Sequence, residues 1–249
     1  LIFAGVIVVL LNFGSYWFSD RIVLSMYRAK QVSERDQPKL HRIVREVSQA
    51  ARVPMPKVYI IPSSSPNAFA TGRNPKNAAV AATQGILDIL DEEELKGVMA
   101  HEISHVKNRD TLVQTVAGMI AGVISYTAAI ARWGAIFGGF GGRDRDSNIF
   151  EFLALAIVTP LIALIIQLAI SRSREFLADE SAAKMLHGGK SLASALQKLE
   201  HSVKRNPMRM GNSSTAHLFI TNPFRAKSLT NLFSTHPSME ERIKRLNAY

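Results

Sequence analysis

The chain has 249 residues, 47% of them hydrophobic, and a mean hydropathy of +0.07, too apolar on average for a typical soluble enzyme. The lack of cysteine excludes disulfides and thiolate metal sites, so any metal must be held by His, Asp or Glu. The net charge of +10 comes from basic residues spread along the chain and mixed with acids; with no nucleic-acid-binding motif beside them, it points away from a nucleic-acid partner.

Residues 1–19, LIFAGVIVVLLNFGSYWFS, carry no charge and are long enough to cross roughly 30 Å of hydrocarbon as a helix. The run lacks the basic start and small-residue cleavage site of a signal peptide, so it reads as a first membrane span. Because the chain opens on Leu1 inside an apolar run, the natural protein is expected to begin upstream, with a further span.

Apolar positions at Leu40, Ile43, Val44 and Val47 predict an amphipathic helix over 36–52, ended by Pro54 and Pro56. KVYII at 57–61 reads as a short strand. NAFATG and AAVAATQG read as two more, around an Asn74–Pro75 turn. Asp91 and Glu94 have the spacing of a capping pair for the next helix. That helix carries AHEISHVKNRD at 100–110.

Two further uncharged runs follow, at 111–131 and 152–171, each again of membrane-crossing length. Between them, residues 132–151 include the glycine-rich GAIFGGFGGRDRDSN. Basic residues flank the spans on one side: Arg21, Arg28, Lys30 and Arg35 after the first, Lys107 and Arg109 before the second, Arg172 and Arg174 after the third. The positive-inside rule therefore puts 20–110 and 172–249 in the cytoplasm and the glycine loop outside. Leu192, Ala195, Leu196, Leu199 and Val203 mark a later amphipathic helix, and Ser238 with Glu241 caps a last one through Leu246.

The chemistry is concentrated at His101-Glu102-x-x-His105. Residues four apart share a helix face, so His101 and His105 can offer two imidazole nitrogens to one zinc ion. Glu102 can reach a water on that ion, whose pKa zinc lowers toward about 7. A third ligand is required. No proline or glycine lies between Pro160 and Gly188, so the third span can continue as one helix through SRSREFLADE. Glu175 is then the third ligand, and Asp179, one turn on, the group that orients a ligating histidine through its free N–H. On a helix rising about 1.5 Å per residue, His105 lies about 9 Å before the second span and Glu175 about 6 Å past the third, so an antiparallel hairpin returns both to one depth.

HEISHVKNRD, with EFLAD some way downstream, resembles the HtpX group of membrane-bound zinc metalloproteases, related to the CAAX prenyl proteases. NAFATG and STHP match it in type and order. The resemblance implies an α+β, gluzincin-like zincin domain combined with a transmembrane helix bundle. It implies one zinc ion per chain on His101, His105 and Glu175, with Glu102 as general base. His236 of STHP, by itself only a helix-entry residue before Pro237, would be an additional active-site histidine acting on the scissile carbonyl. Asn67, Ala68 and Phe69 would line the substrate cleft as a strand edge. His41, His187, His201 and His217 match nothing and read as surface or packing residues.

The expected function is zinc-dependent endoproteolysis of membrane or membrane-associated proteins, in quality control and stress response. The enzyme would sit in the cell (inner) membrane with its site facing the cytoplasm. A prenyl-protein protease would share the same catalytic residues. A non-enzymatic zinc-binding transporter or sensor is the rival of another class. It should carry ionisable groups inside its spans, where this chain has only Asn12, Gln114, Gln167 and hydroxyls. Oligomeric state is not encoded in these motifs.

Overall fold

The computed structural model describes residues 14, 17–137, 145–205, 219–220 and 237–249. Most of the run at 1–19, the centre of the glycine loop, His217 and His236 lie outside the described residues. Contacts divide the chain into two compact units, one of residues 1–112 with 172–249 and one of residues 113–171.

The first unit is an α+β domain. It opens with α1 (Ser19–Met26) and a two-residue strand β1 (Lys30–Gln31), followed by α2 (Pro38–Ala51). Then come β2 (Lys57–Ile61), β3 (Ala68–Asn74) and β4 (Asn77–Thr83). Next are a short α3 (Gln84–Ile89) and α4 (Glu92–Lys107), which holds both histidines of the motif. α5 (Asp110–Phe137) and α6 (Arg145–Met185) follow, then α7 (Lys190–Arg205) and α8 (Met239–Leu246).

The sheet order is β1-β2-β4-β3, with β2 and β4 parallel and the other neighbours antiparallel. β4 therefore sits inside the sheet, buried on both faces, and its side chains sort by the two-residue strand period. Val80 and Ala82 join the main core with Leu40, Ile43, Val44 and Val47 of α2, Leu95, Val98 and Met99 of α4, and Leu192, Leu196 and Leu199 of α7. Ala79 and Ala81 face a second cluster of Val23, Leu24, Tyr27, Ile61, Phe69 and Phe219.

α4 is fixed from both ends of its first turns. Asp91 accepts from the Glu94 N–H at 2.9 Å and Glu94 accepts from the Asp91 N–H at 3.0 Å, the reciprocal capping box that the sequence predicts. The buried Glu94 carboxylate also accepts from Ser194 Oγ and Lys198 Nζ of α7, both at 2.7 Å. Gly97 lets the two helices touch: a Cβ there would stand 2.8 Å from Leu192 N. At the β3–β4 bulge, Gly72 has φ +129°, and a side chain would collide with the Asn77 carbonyl.

The second unit is helical. Stretches of α5 (Asp110–Ile130) and α6 (Ile157–Met185) are long and apolar enough to cross a membrane. Their apolar side chains point outward, with Val123 63% and Ile165 62% exposed. Such exposure suits hydrocarbon rather than water as the solvent. α6 runs unbroken from Arg145 to Met185 with Pro160 inside it, so the sequence expectation of one helix carrying EFLAD holds.

Candidate metal centre

α4 is buried along the face that carries its motif; His101, Glu102 and Ser104 are 2% exposed or less. One helical turn separates His101 from His105, and their Nε2 atoms lie 3.0 Å apart with the rings edge to face. Glu175, supplied by α6, brings Oε2 to 3.6 Å from His101 Nε2 and Oε1 to 3.6 Å from His105 Nε2. One donor atom from each of the three residues falls within 4.8 Å of the others. Ligands about 2.0–2.1 Å from a tetrahedral ion stand roughly 3.3 Å from one another. The spacing and the donor set of two imidazoles and a carboxylate therefore fit zinc.

Each histidine is held from behind by a carboxylate. His101 Nδ1 meets Asp179 Oδ1 at 2.9 Å, and His105 Nδ1 donates to Asp110 Oδ2 at 2.6 Å. Both arrangements put the proton on Nδ1 and leave the Nε2 lone pair turned toward Glu175. Each carboxylate is in turn held by an arginine. Arg242 of α8 donates to Asp179 through Nε at 2.8 Å and Nη2 at 2.7 Å. Arg174 pairs with Asp110 and also donates to the Asn108 carbonyl at 2.9 Å.

Burial lowers the proton affinity of His101, more than Asp179 raises it, which favours the neutral ring that a ligand needs. For His105 burial acts in the same sense, but the hydrogen bond to Asp110 and the charges of Glu175 and Glu102 outweigh it and push the ring to about 9. Those carboxylates make Nε2 a strong base, which a cation and a proton would compete for. Burial pushes Glu102 up to about 8, against a lowering by His105. Its Oε2 accepts the Ala70 N–H of β3 at 2.8 Å, tying the carboxylate to the strand.

Thr83 N–H donates to the Asn67 carbonyl at 2.9 Å, and Asn67 N–H donates to Thr83 Oγ1 at 2.8 Å. By strand alternation Asn67, Phe69 and Thr71 turn their backbone groups toward β4, while Ala68, Ala70 and Gly72 turn theirs to the open edge. Asn67 and Phe69 are buried. The expected edge is thus carried in this geometry by Ala68, Ala70 and Gly72, one register step from two of the three residues named from sequence. Of the other histidines, His41 Nε2 lies 3.0 Å from the Val32 carbonyl and His201 Nδ1 2.9 Å from that of Gln197.

Sequence reasoning missed Asp110, Arg174 and Arg242. Arg242 is fully buried at the centre of the site, packed 3.4 Å from His101 and 3.5 Å from Glu175. A signal existed: Arg242 shares a helix face with Met239, Ile243 and Leu246, a cation at a core position.

Residues 34–249 match peptidase family M48. The chain is 54% identical over 253 residues to a protein named Protease HtpX homolog from Syntrophobacter fumaroxidans, covering 100% of this chain and 89% of that protein. It is 57% identical over 237 residues to a protein of the same name from Thermococcus kodakarensis, covering 94% and 81%. The crystal structure of S. mikatae Ste24p is similar at a TM-score of 0.58 and 17% identity, covering 98% of this chain and 58% of that one, a likeness of fold.

Proposed function

The chain belongs to peptidase family M48, and we propose that His101, His105 and Glu175 hold one zinc ion in it while Glu102 acts as general base. It is a zinc-dependent membrane metalloprotease. The observation that carries the residue assignment is the convergence of the three donor atoms within 4.8 Å, beside a carboxylate tied to a sheet edge.

Bound zinc supplies Lewis acidity, which acidifies water and polarises a peptide carbonyl. The chain does the rest. Asp179 and Asp110 fix the tautomer and aim of the two imidazoles. Glu102, steadied by the Ala70 N–H, takes a proton from the attacking water and delivers it to the leaving amine, so peptide and water become carboxylate and amine. The β3 edge lines up an extended substrate by strand addition, and Asn67, just before β3, with Ala68 and Phe69 at its start are the residues assigned to that cleft. His236 is assigned to the scissile carbonyl, on its match within STHP.

The domains are assigned as read from sequence: spans at 1–19, 111–131 and 152–171, an extracytoplasmic loop at 132–151, and protease segments at 20–110 and 172–249. The charge bias supports a cytoplasm-facing site in the cell (inner) membrane. Membrane or membrane-associated proteins under quality control are the assigned substrates; the membrane-length helices support a substrate at the bilayer, and the relatives' names support proteolysis. The test is cleavage of an unfolded protein by the purified chain with and without zinc chelation, alongside Glu102→Gln. The amide removes no ligand, so zinc should stay while cleavage falls at least about 100-fold. A Glu102→Gln protein that cleaves at near the wild-type rate contradicts the base assignment.

A further inference from the structure

Two of the backbone groups on the open edge of β3 already have partners within the chain. Ala70 N–H donates to Glu102, and the Ala68 carbonyl accepts the Ile220 N–H at 3.3 Å. Ile220 thus occupies the place where one residue of an added strand would pair. It is held there on several sides. Its own carbonyl accepts from Arg242 Nη1 at 3.1 Å, and its side chain is buried in the main core. The preceding Phe219 packs edge-on against Tyr27 and Phe69, with ring centroids 4.9 and 5.2 Å away. Moving the dipeptide would open the aromatic cluster and strip a partner from a buried guanidinium, so the segment is a fixture of the edge.

On the other side of Ala70 the edge is partly exposed at Gly72 and Arg73, with no strand paired to it among the described residues. There a small cavity is lined by Ala70, Gly72 and Arg73 of β3 together with His105 and Arg109. With Glu102 as the base, the scissile peptide must lie within its reach, and Glu102 is tied to Ala70. One strand step toward the start of β3 then meets Ile220, whereas among the described residues no backbone partner on this edge is met toward Gly72.

We propose that Phe219 and Ile220 form an end wall of the substrate groove, so that strand pairing supports the substrate on one side of the scissile bond only. The proposal rests on the assignment of Glu102 as base. An antiparallel substrate, the more stable mode of pairing, places its N-terminal side along Ala70 and Gly72. Its C-terminal side meets the wall and must leave the sheet after the first residue. Phe219 and Ile220 are on this account determinants of specificity rather than of chemistry.

The test uses the full chain, purified with zinc, on internally quenched peptides that share one scissile pair. One series lengthens the N-terminal side stepwise and a second lengthens the C-terminal side. Each strand hydrogen bond gained should raise kcat/KM about fivefold. The N-terminal series should show such gains, and the C-terminal series should change less than about twofold past its first residue. Phe219→Ala, with zinc content retained, should make the C-terminal series length-dependent. Equal gains on both sides, or gains confined to the C-terminal side, overturn the wall. If cleavage remains sensitive to zinc chelation in that case, the metalloprotease reading stands. The wild-type series decides the matter even if the variant fails to fold.

Discussion

His105 donates from Nδ1 to Asp110 Oδ2 at 2.6 Å, and Asp110 is the first residue of the long apolar helix α5. The same carboxylate is gripped by Arg174, within α6, so one metal-site histidine is oriented by residues of two long helices. Loss of a carboxylate that orients a ligating histidine typically costs about 10–100-fold in metal affinity or activity. Asp110→Ala should weaken zinc binding by about that factor, measured by competition with a chelator, and Asp110→Glu should restore part of it. Unchanged zinc affinity in Asp110→Ala would show that the contact is structural decoration.

Arg242 is buried against Asp179, His101 and Glu175. Removing one partner of a buried ion pair leaves the other charge uncompensated and typically costs about 3–5 kcal/mol. Arg242→Met should therefore unfold at markedly lower denaturant than wild type. Glu180→Ala should not, because among the described residues Glu180 pairs with Lys184, and both side chains are exposed. Comparable stability of Arg242→Met and wild type would mean that Asp179 is protonated or rehydrated in the variant.

Much of this site was legible in the sequence because it depends on helical spacing. His101 and His105 one turn apart, and Glu175 and Asp179 one turn apart, need only the 3.6-residue period. The capping box of α4 and the unbroken run of α6 through Pro160 were legible for similarly local reasons. Asp110, Arg174 and Arg242 were not, because each acts on a partner brought near by tertiary packing. The two-residue β1 and the short α3 carry too few residues for a periodic signal. The register of β3 was also hidden. Whether Asn67 or Ala68 faces the open edge depends on a pairing with Thr83 that sequence alone does not state.

Gly97 sits where α4 meets the backbone of α7, and a Cβ would stand 2.8 Å from Leu192 N. Backbone cannot yield as a flexible side chain would. Gly97→Ala should cost about 1–3 kcal/mol of stability by overpacking, despite the higher helix propensity of alanine. Thermal unfolding of the purified variant provides the check, and an unchanged or raised midpoint would show that the helices can separate freely.

The charge bias predicts that the segment 132–151, with Ser147 in the first turn of α6, is outside and Ser238, which caps α8, is inside. The chain has no cysteine, so single cysteines introduced at these positions report cleanly. On intact cells an impermeant thiol reagent should label Ser147→Cys and spare Ser238→Cys. The reverse pattern would invert the orientation without touching the enzyme assignment.

The central claim is that α6 supplies the third ligand to the two histidines of α4, through Glu175. Three carboxylates crowd that stretch of α6, and the geometry gives each a different part. Glu175 faces both Nε2 atoms, Asp179 backs His101 at Nδ1, and Glu180 turns to Lys184. Zinc content of the purified Glu175→Ala, Asp179→Ala and Glu180→Ala proteins separates these roles most directly. Glu175→Ala should lose stoichiometric zinc, Asp179→Ala should bind about 10–100-fold more weakly, and Glu180→Ala should match wild type. Full zinc occupancy in Glu175→Ala would contradict the account, because the metal would then be held without the residue that α6 is proposed to bring to it.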